Sequence, residues 1–253
     1  MLQLRVGKSS ISFNVVEMIQ FYAPDIETTG VLPESDSGHC CRVLRMKEGD
    51  EVTVVDGKGS RFRCAIVEAH PKHTAVEIIS RESVPNHWGF ELTLAVAPTK
   101  HSDRMEWMLE KAVEIGVDRV VLLKCARSER KVMKTERLEK VMISAMKQSL
   151  KTVLPKLEEV TDFNAFVKGE SGEVAKFFGY CSESCRRADF AANCPAGRAV
   201  TIMIGPEGDF SPEEVETAVE HGFVPVTFGE SRLRTETAAL YGVTAAHVVN
   251  RLK

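Results

Sequence analysis

Long apolar runs are missing from this chain of 253 residues. No stretch approaches the ~20 consecutive apolar residues that a membrane-spanning helix requires. The first residues also lack the apolar core of a signal peptide. We therefore expect a cytoplasmic protein that has no membrane partner.

Paired cysteines and metal-binding spacings are missing as well. The seven cysteines are odd in number, include the adjacent pair Cys40 and Cys41, and form no CxxC motif and no regular spacing with histidine. Cys181, Cys185 and Cys194 lack a fourth partner for tetrahedral zinc. We therefore expect reduced thiols and no metal.

Several catalytic signatures are also absent. No GxGxxG motif follows a first strand with an acidic residue about 20 residues later, which leaves a dinucleotide-binding fold unsupported. GxSxG, HExxH and protein-kinase signatures do not occur. The chemistry of this chain must therefore come from a less common arrangement.

Positive charge is unevenly distributed along the chain. The net charge is -3, yet residues 124–156 hold ten basic residues against three acidic ones. Such a local excess can hold a phosphate backbone. A solvated helix face explains the same pattern equally well, so charge alone leaves both interpretations open.

The N-terminal part predicts a leader followed by a small β domain. Residues 1–17 have no periodic pattern, and Met18 precedes a strand-like start, so we expect 1–17 to be a disordered leader or added segment. Short strands at 52–55, 61–67 and 74–79, with a hairpin turn at 56–59, predict an antiparallel sheet or barrel over residues 18–85.

The remaining chain changes periodicity. After a linker at 83–89, a strand at 91–97, a helix at 103–115 and a strand at 117–123 form a βαβ unit, which predicts a parallel α/β sheet. We further expect a basic helix at 135–151, and strands at 177–180 and 199–204. The second domain is predicted to span 90–253.

Two glycine turns near the end dominate the functional interpretation. Gly205 and Gly208 lie between a buried strand and a helix that begins with Ser211, Pro212 and Glu214, a first-turn proline within a capping box. A second strand at 224–228 ends at Gly229 and leads to another helix. Two such loops in a parallel sheet predict one pocket, although each loop could also be only a tight turn.

The second loop supplies the candidate catalytic groups. Arg234 lies beside the predicted pocket, where a guanidinium can hold a planar oxygen or a phosphate. Glu236 follows at the entrance of the next helix. A surface ion pair or a helix cap would explain both residues without any catalytic role.

The motif Ile-Gly-Pro-Glu-Gly at 204–208, with Ser211 and Glu214, and the segment around Leu233–Ala238, resemble the ribosomal RNA small subunit methyltransferase E family. The likeness extends to nearly all of the chain from Met18. Further matching residues are His39, Val43, Leu44, Arg45, Lys100, Met105, Glu106, Lys111, Glu114, Gly116, Val117, Ser128, Glu129, Arg130, Gln148 and Ser149.

This resemblance implies a fold and an activity. It implies a PUA-like RNA-binding β-barrel at 18–85 and a SPOUT methyltransferase domain with a trefoil knot at 90–253, assembled as a homodimer. The implied activity is S-adenosylmethionine-dependent methylation of N3 of one uridine in 16S rRNA, within the small ribosomal subunit.

The resemblance also implies site residues. The cofactor residues would be Gly179, Tyr180, Gly205, Pro206, Glu207, Gly208, Phe228, Gly229, Leu233 and Arg234. With the positive charge of the chain, the resemblance leads us to expect these RNA-binding residues: Arg42, Arg45, Arg61, Arg63, Arg127, Arg130, Gln148, Ser149 and Lys151. The chain departs from the family at Asp209, where a glycine is usual, at Cys40, where histidine is frequent, and at Lys147 and Lys151, where an acid and an arginine are common.

For catalysis we expect Arg234 to stabilise negative charge on the uridine carbonyl oxygens. Glu236 would orient Arg234 or the helix entrance. Two alternatives remain: a SPOUT methyltransferase that acts on another RNA, and a non-catalytic dimeric RNA-binding scaffold.

Overall fold

A computed structural model describes residues 19–182 and 185–252. The predicted leader at 1–17 lies outside the described residues. The chain divides between Val84 and Pro85 into two compact units. No helix in the described ranges is long and apolar enough to cross a membrane.

The first unit contains one four-stranded sheet in the order β1-β2-β3-β4. Strands β2 to β4 are antiparallel as predicted, but β1 pairs with β2 in parallel, which corrects the fully antiparallel expectation. The elements are β1 (Gln20–Tyr22), α1 (Ile26–Thr29), α2 (Glu34–Gly38), β2 (Glu51–Val55), β3 (Ser60–Glu68) and β4 (Ala75–Ser83).

Local chemistry explains the turns of this unit. The Asp56 carboxylate accepts hydrogen bonds from the backbone N–H groups of Lys58 and Ser60, at 2.7 and 3.0 Å, which fixes the predicted hairpin. Helix α2 is followed directly by a π-helical turn at His39–Val43. In that turn the Leu44 N–H bonds the carbonyl of His39, five residues earlier.

The second unit contains a seven-stranded sheet in the order β7-β6-β5-β10-β8-β11-β9, and all its pairs are parallel, as predicted. Its elements are β5 (Leu92–Val96), α3 (Ser102–Ile115), β6 (Arg119–Lys124), α4 (Thr135–Gln148), β7 (Lys156–Asp162), α5 (Phe163–Gly169), β8 (Ala175–Gly179), β9 (Ala188–Asp189), α6 (Phe190–Asn193), β10 (Val200–Ile204), α7 (Pro212–Glu220), β11 (Val224–Thr227) and α8 (Thr235–Leu252).

Burial explains which of these elements the sequence predicts. Strands β5 and β10 are buried at every position, and their apolar runs identify them. Edge strand β7 has no fully buried residue in its mixed polar sequence, and β9 has only two residues, so neither gives a clear pattern. Aromatic side chains such as Phe163, Phe178 and Phe210 fill the core against the sheet.

The predicted capping box at the start of α7 is confirmed. The Ser211 hydroxyl accepts a hydrogen bond from the Glu214 N–H at 3.3 Å, and the Glu214 carboxylate accepts one from the Ser211 N–H at 2.9 Å. The other oxygen of this carboxylate accepts from the Ala126 N–H at 2.7 Å. One buried acid therefore starts α7 and also anchors the loop after β6.

Candidate active site

A cleft of about 830 Å³ opens at the carboxyl ends of β8, β10 and β11. Ligands of open parallel α/β sheets bind at this edge. The cleft is lined by nine of the ten predicted cofactor residues and by both predicted catalytic residues: Gly179, Tyr180, Gly205, Pro206, Glu207, Phe228, Gly229, Leu233, Arg234 and Glu236.

Two glycines of the cleft make room for the protein's own aromatic rings. A Cβ atom on Gly179 would lie 2.8 Å from the Phe228 ring, and one on Gly205 would lie 3.1 Å from the Phe210 ring. Larger residues at these positions would displace those rings. Gly229 is different, because its φ of +114° is unfavourable for any other residue while the space around it is open.

Gly208 is not among the residues that line the cleft. A Cβ at this position would lie 3.3 Å from Cβ of Arg127. The Arg127 guanidinium donates to the carbonyl oxygens of Gly208 and Phe210, at 2.9 and 3.3 Å. The predicted RNA-binding Arg127 therefore supports the glycine turn from behind, and the missing side chain of Gly208 permits that close contact.

Asp209 ties two cleft loops together. Its φ is +60°, a conformation that glycine adopts freely and that aspartate tolerates better than most residues. Its carboxylate accepts from the Cys181 N–H at 3.0 Å and from the Phe210 N–H at 2.9 Å. The backbone conformation explains the glycine that the family usually has here, and the carboxylate adds a link to the loop after β8.

Cys181 contributes a thiol to the wall of the cleft. Burial raises the pKa of this thiol, and the negative charge of Asp209 raises it further, while Arg232 and Arg187 act in the opposite direction. The Arg187 guanidinium also donates to the carbonyl oxygens of Tyr180 and Cys181, at 3.2 and 3.1 Å. This part of the cleft is therefore held by arginine and aspartate contacts to the backbone.

The predicted catalytic residues have different surroundings. Arg234 is exposed, and no hydrogen bond or ion pair joins its guanidinium to the residues that the structure describes. Glu236 is buried and pairs with Arg104, with 3.5 Å between the carboxylate oxygen and the guanidinium nitrogen. The structure therefore gives Glu236 a partner on α3, and Arg104 is a cleft residue that the sequence analysis missed.

A hydrogen bond joins the loop after β5 to the glycine loop after β10. The Lys100 N–H, in the loop after β5, donates to the Glu207 carboxylate at 3.1 Å. The carbonyl oxygen of Lys100 accepts a hydrogen bond from the Arg130 guanidinium at 3.0 Å. The Lys100 ammonium lies 3.1 Å from the Glu129 carboxylate. Arg130, a predicted RNA-binding residue, thus reaches the same group of loops as Arg127.

The other predicted RNA-binding residues of the second unit lie at the end of α4. Gln148 is exposed. The Ser149 hydroxyl donates to the carbonyl of Ala145 at 2.7 Å, and the Lys151 ammonium donates to the carbonyl of Glu114 at 2.7 Å. Burial lowers the pKa of Lys151. Ser149 and Lys151 therefore have structural contacts at helix ends.

In the first unit, Arg42 and Arg45 are exposed after α2. Arg61 and Arg63 are two residues apart on β3 and so project from the same face. Both arginines form a weak ion pair with a carboxylate: Arg61 lies 3.7 Å from Glu82, and Arg63 lies 3.7 Å from Glu51. Exposed pairs of this kind stabilise little, so these arginines can be drawn to a ligand phosphate.

Among the described residues, no group of three or more His, Cys, Asp or Glu side chains has the arrangement of a metal site. The thiols of Cys40 and Cys64 are buried, and burial raises their pKa values to about 12 and about 11. These cysteines contribute to packing in the first unit.

Comparisons with known proteins agree with this geometry. The model of the RNA methyltransferase domain matches residues 86–247, and that of the RNA methyltransferase PUA domain matches residues 32–79. Ribosomal RNA small subunit methyltransferase E of Bacillus subtilis is 26% identical over 235 residues, which cover 88% of this chain and 90% of that protein.

Solved structures extend the likeness. A probable rRNA methyltransferase from Porphyromonas gingivalis is 45% identical, with a TM-score of 0.88 over 92% of this chain and 99% of that one. Ribosomal RNA small subunit methyltransferase E from Neisseria gonorrhoeae, crystallised with S-adenosyl methionine, is 28% identical, with a TM-score of 0.80 over 92% of this chain and 98% of that one. The chain therefore belongs to the RNA methyltransferase family described by these domain models, the family of the small subunit methyltransferases E.

Proposed function

We propose that this protein transfers a methyl group from S-adenosylmethionine to N3 of one uridine in 16S rRNA. The observation that carries the proposal is the cleft at the carboxyl ends of β8, β10 and β11, which is lined by nearly all the predicted cofactor residues. The choice of substrate is inferred from the relatives, because the proteins from Bacillus subtilis and Neisseria gonorrhoeae are small subunit rRNA methyltransferases.

The residues of the cleft fit this cofactor. Phe228 and Leu233 are partly exposed in the cleft and offer apolar surface for a purine ring, and Gly229 leaves its backbone open. Carboxylates suit ribose hydroxyls and an ammonium group, and arginines suit a carboxylate. The cleft contains both kinds of side chain: Glu207, Asp209, Glu230, Arg232 and Arg234. When bound, S-adenosylmethionine supplies a methyl group on a positively charged sulfur.

Arg234 is our candidate for stabilising the reacting base. N3 of uridine must lose its imide proton before it can bond to carbon, and the negative charge then spreads to the two adjacent carbonyl oxygens. An exposed guanidinium at the cleft supplies N–H donors for that charge. The target base has to leave its stack to reach the cleft.

The first unit is proposed to hold the surrounding RNA. Arg42, Arg45, Arg61 and Arg63 are its candidate contacts, and they would bind phosphates rather than read the sequence. On the second unit we assign Arg127, Arg130 and Gln148 to the same task. Substitution of these arginines should weaken RNA binding most strongly at low salt and should make the remaining binding less dependent on salt.

We further propose a cytoplasmic homodimer with a trefoil knot in each catalytic domain. Helix α8 supports the dimer, because Tyr241, Val248 and Leu252 share one face and leave 46%, 46% and 81% of their surface exposed. A second copy of the chain would cover these side chains. Sedimentation equilibrium with Val248→Glu tests this, since a dimer through α8 would become monomeric.

The test of the activity uses small ribosomal subunits that lack the modification. Subunits are incubated with the protein and methyl-labelled S-adenosylmethionine, and the labelled nucleotide is located by mass spectrometry. We expect one methyl group per 16S rRNA, at N3 of a uridine. Label on another atom or another RNA would assign a different reaction to the same cleft, and no label would contradict the proposed activity.

A further inference from the structure

Arg104 lines the cleft but is not among the site residues predicted from the sequence. It lies in the first turn of α3, the helix that follows β5, and 38% of its side chain is exposed. The glycine loops follow β8, β10 and β11, whereas β5 is the neighbour of β10 on the other side. Arg104 therefore enters the cleft from its flank, beside the part that the glycine loops form.

The position of Arg104 is not explained by helix stability. The N-terminal turn of a helix carries a partial positive charge, so a cation there is unfavourable. Glu236 offsets this cost from the first turn of α8, with 10% of its side chain exposed and 3.5 Å between the charged groups. Among the described residues, Arg104 is the one cation within ion-pair distance of this buried acid.

The ion pair leaves most of the guanidinium available. An arginine has five N–H donors in a planar fork, and its approach to Glu236 is one terminal nitrogen 3.5 Å from a carboxylate oxygen, longer than a charged hydrogen bond. Helix α3 holds the backbone of Arg104 more firmly than the loop at 228–234 can hold Arg232 or Arg234. Arg104 is thus a fixed set of donors at the wall of the cleft.

Three other charged residues of the cleft are bonded to the backbone. Arg187 donates to two backbone carbonyls, and Asp209 and Glu207 accept from backbone N–H groups. These contacts build the loops of the cleft itself. Among the described residues, Arg104 instead pairs with a side chain that lines the same cleft, Glu236, which leaves other guanidinium donors available to a bound molecule.

We propose that Arg104, oriented by Glu236, binds oxygen atoms of the RNA nucleotide that enters the cleft. This inference rests on the proposed methyl transfer. Arg104 is a substrate-binding residue, and Glu236 is the positioning residue that acts through it. The role of Glu236 therefore lies with α3, and Arg234 acts independently of it.

The test compares wild type, Arg104→Gln and the double variant Arg104→Gln with Glu236→Gln. The double variant removes both charges, so it avoids leaving a buried carboxylate without a partner. Lys111→Gln is the matched control, because it removes a cation from the same helix outside the cleft. Each protein is assayed for methyl transfer to small subunits and for S-adenosylmethionine binding by calorimetry.

We expect the double variant to lose about 100-fold in kcat/KM for RNA. Its cofactor affinity should stay within about twofold of wild type, and its melting temperature should match that of the control. A loss of cofactor affinity as large as the loss of activity would overturn the inference and place Arg104 in the cofactor site. Unchanged kcat/KM would overturn it as well, whereas an inactive wild type would instead refute the proposed function.

Discussion

The Thr235 hydroxyl donates a hydrogen bond of 3.2 Å to the carbonyl oxygen of Gly205, across 30 residues of chain. Thr235 is buried at the start of α8, and Gly205 directly follows β10. This contact fixes the second glycine loop to the first. The geometry of the proposed cofactor cleft therefore depends on a residue that lies between the candidate groups Arg234 and Glu236.

Replacing Thr235 with valine tests this connection. Valine has nearly the same shape but leaves the Gly205 carbonyl without its donor, which costs about 1 kcal/mol. We expect S-adenosylmethionine to bind about fivefold more weakly. Calorimetry measures this, with Thr244→Val on the exposed face of α8 as control. Equal affinities of the two variants would contradict the role of Thr235.

A second prediction concerns the backbone at Asp209. Both Asp209→Gly and Asp209→Ala remove the bond to Cys181, but alanine is strained at a φ of +60°. We expect the alanine variant to be less stable than the glycine variant by about 1 kcal/mol. Thermal unfolding of the two proteins gives this difference directly. Equal stability would mean that the loop adopts another conformation in solution.

The Cys181 thiol gives a prediction on pH. Because burial and the charge of Asp209 raise its pKa, the reactive thiolate forms only at higher pH than for a free thiol. Asp209→Asn removes the charge and keeps a residue that tolerates positive φ. We expect the pH midpoint of Cys181 alkylation by iodoacetamide to move to lower pH.

Peptide mass spectrometry follows Cys181 separately from the other six cysteines. Glu207→Gln is the control, because this carboxylate lines the cleft but does not contribute to the pKa shift of Cys181. A midpoint that is the same in all three proteins would contradict the electrostatic contact between Asp209 and Cys181.

A fourth prediction separates Arg127 from the arginines of the first unit. Arg127→Gln removes the donor that holds the carbonyls of Gly208 and Phe210, so it should weaken both RNA and cofactor binding. Arg42→Gln should weaken RNA binding alone, because Arg42 is exposed in the other unit. Filter binding of RNA at several salt concentrations and calorimetry with the cofactor distinguish the two. Unchanged cofactor affinity in Arg127→Gln would show that the glycine turn holds without this arginine.

Local signals made the glycine turns predictable from sequence. The buried strand β10, the glycine at 205 and the Ser211–Glu214 capping box are encoded within 15 residues, and each of these features is confirmed. The parallel sheet follows from the same kind of short-range pattern, with apolar strands between amphipathic helices.

Contacts between distant segments could not be predicted in this way. Arg104 and Glu236 are far apart in the chain and meet only because α3 and α8 begin at the same cleft. The bond from Cys181 to Asp209 likewise depends on the order of β8 and β10 in the sheet. No spacing in the sequence indicates either contact: Arg104 gave no signal, and Asp209 differed from the usual glycine without indicating its partner.

Titration of S-adenosylmethionine into the purified protein by calorimetry tests the central claim most directly. We predict saturable binding of one molecule per chain. Binding should be abolished in Leu233→Glu, which places a carboxylate in the cleft, and retained in Val219→Glu, which alters an exposed position on α7. Absence of binding by a folded wild-type protein, or equal binding by both variants, would contradict the assignment of this cleft as the cofactor site.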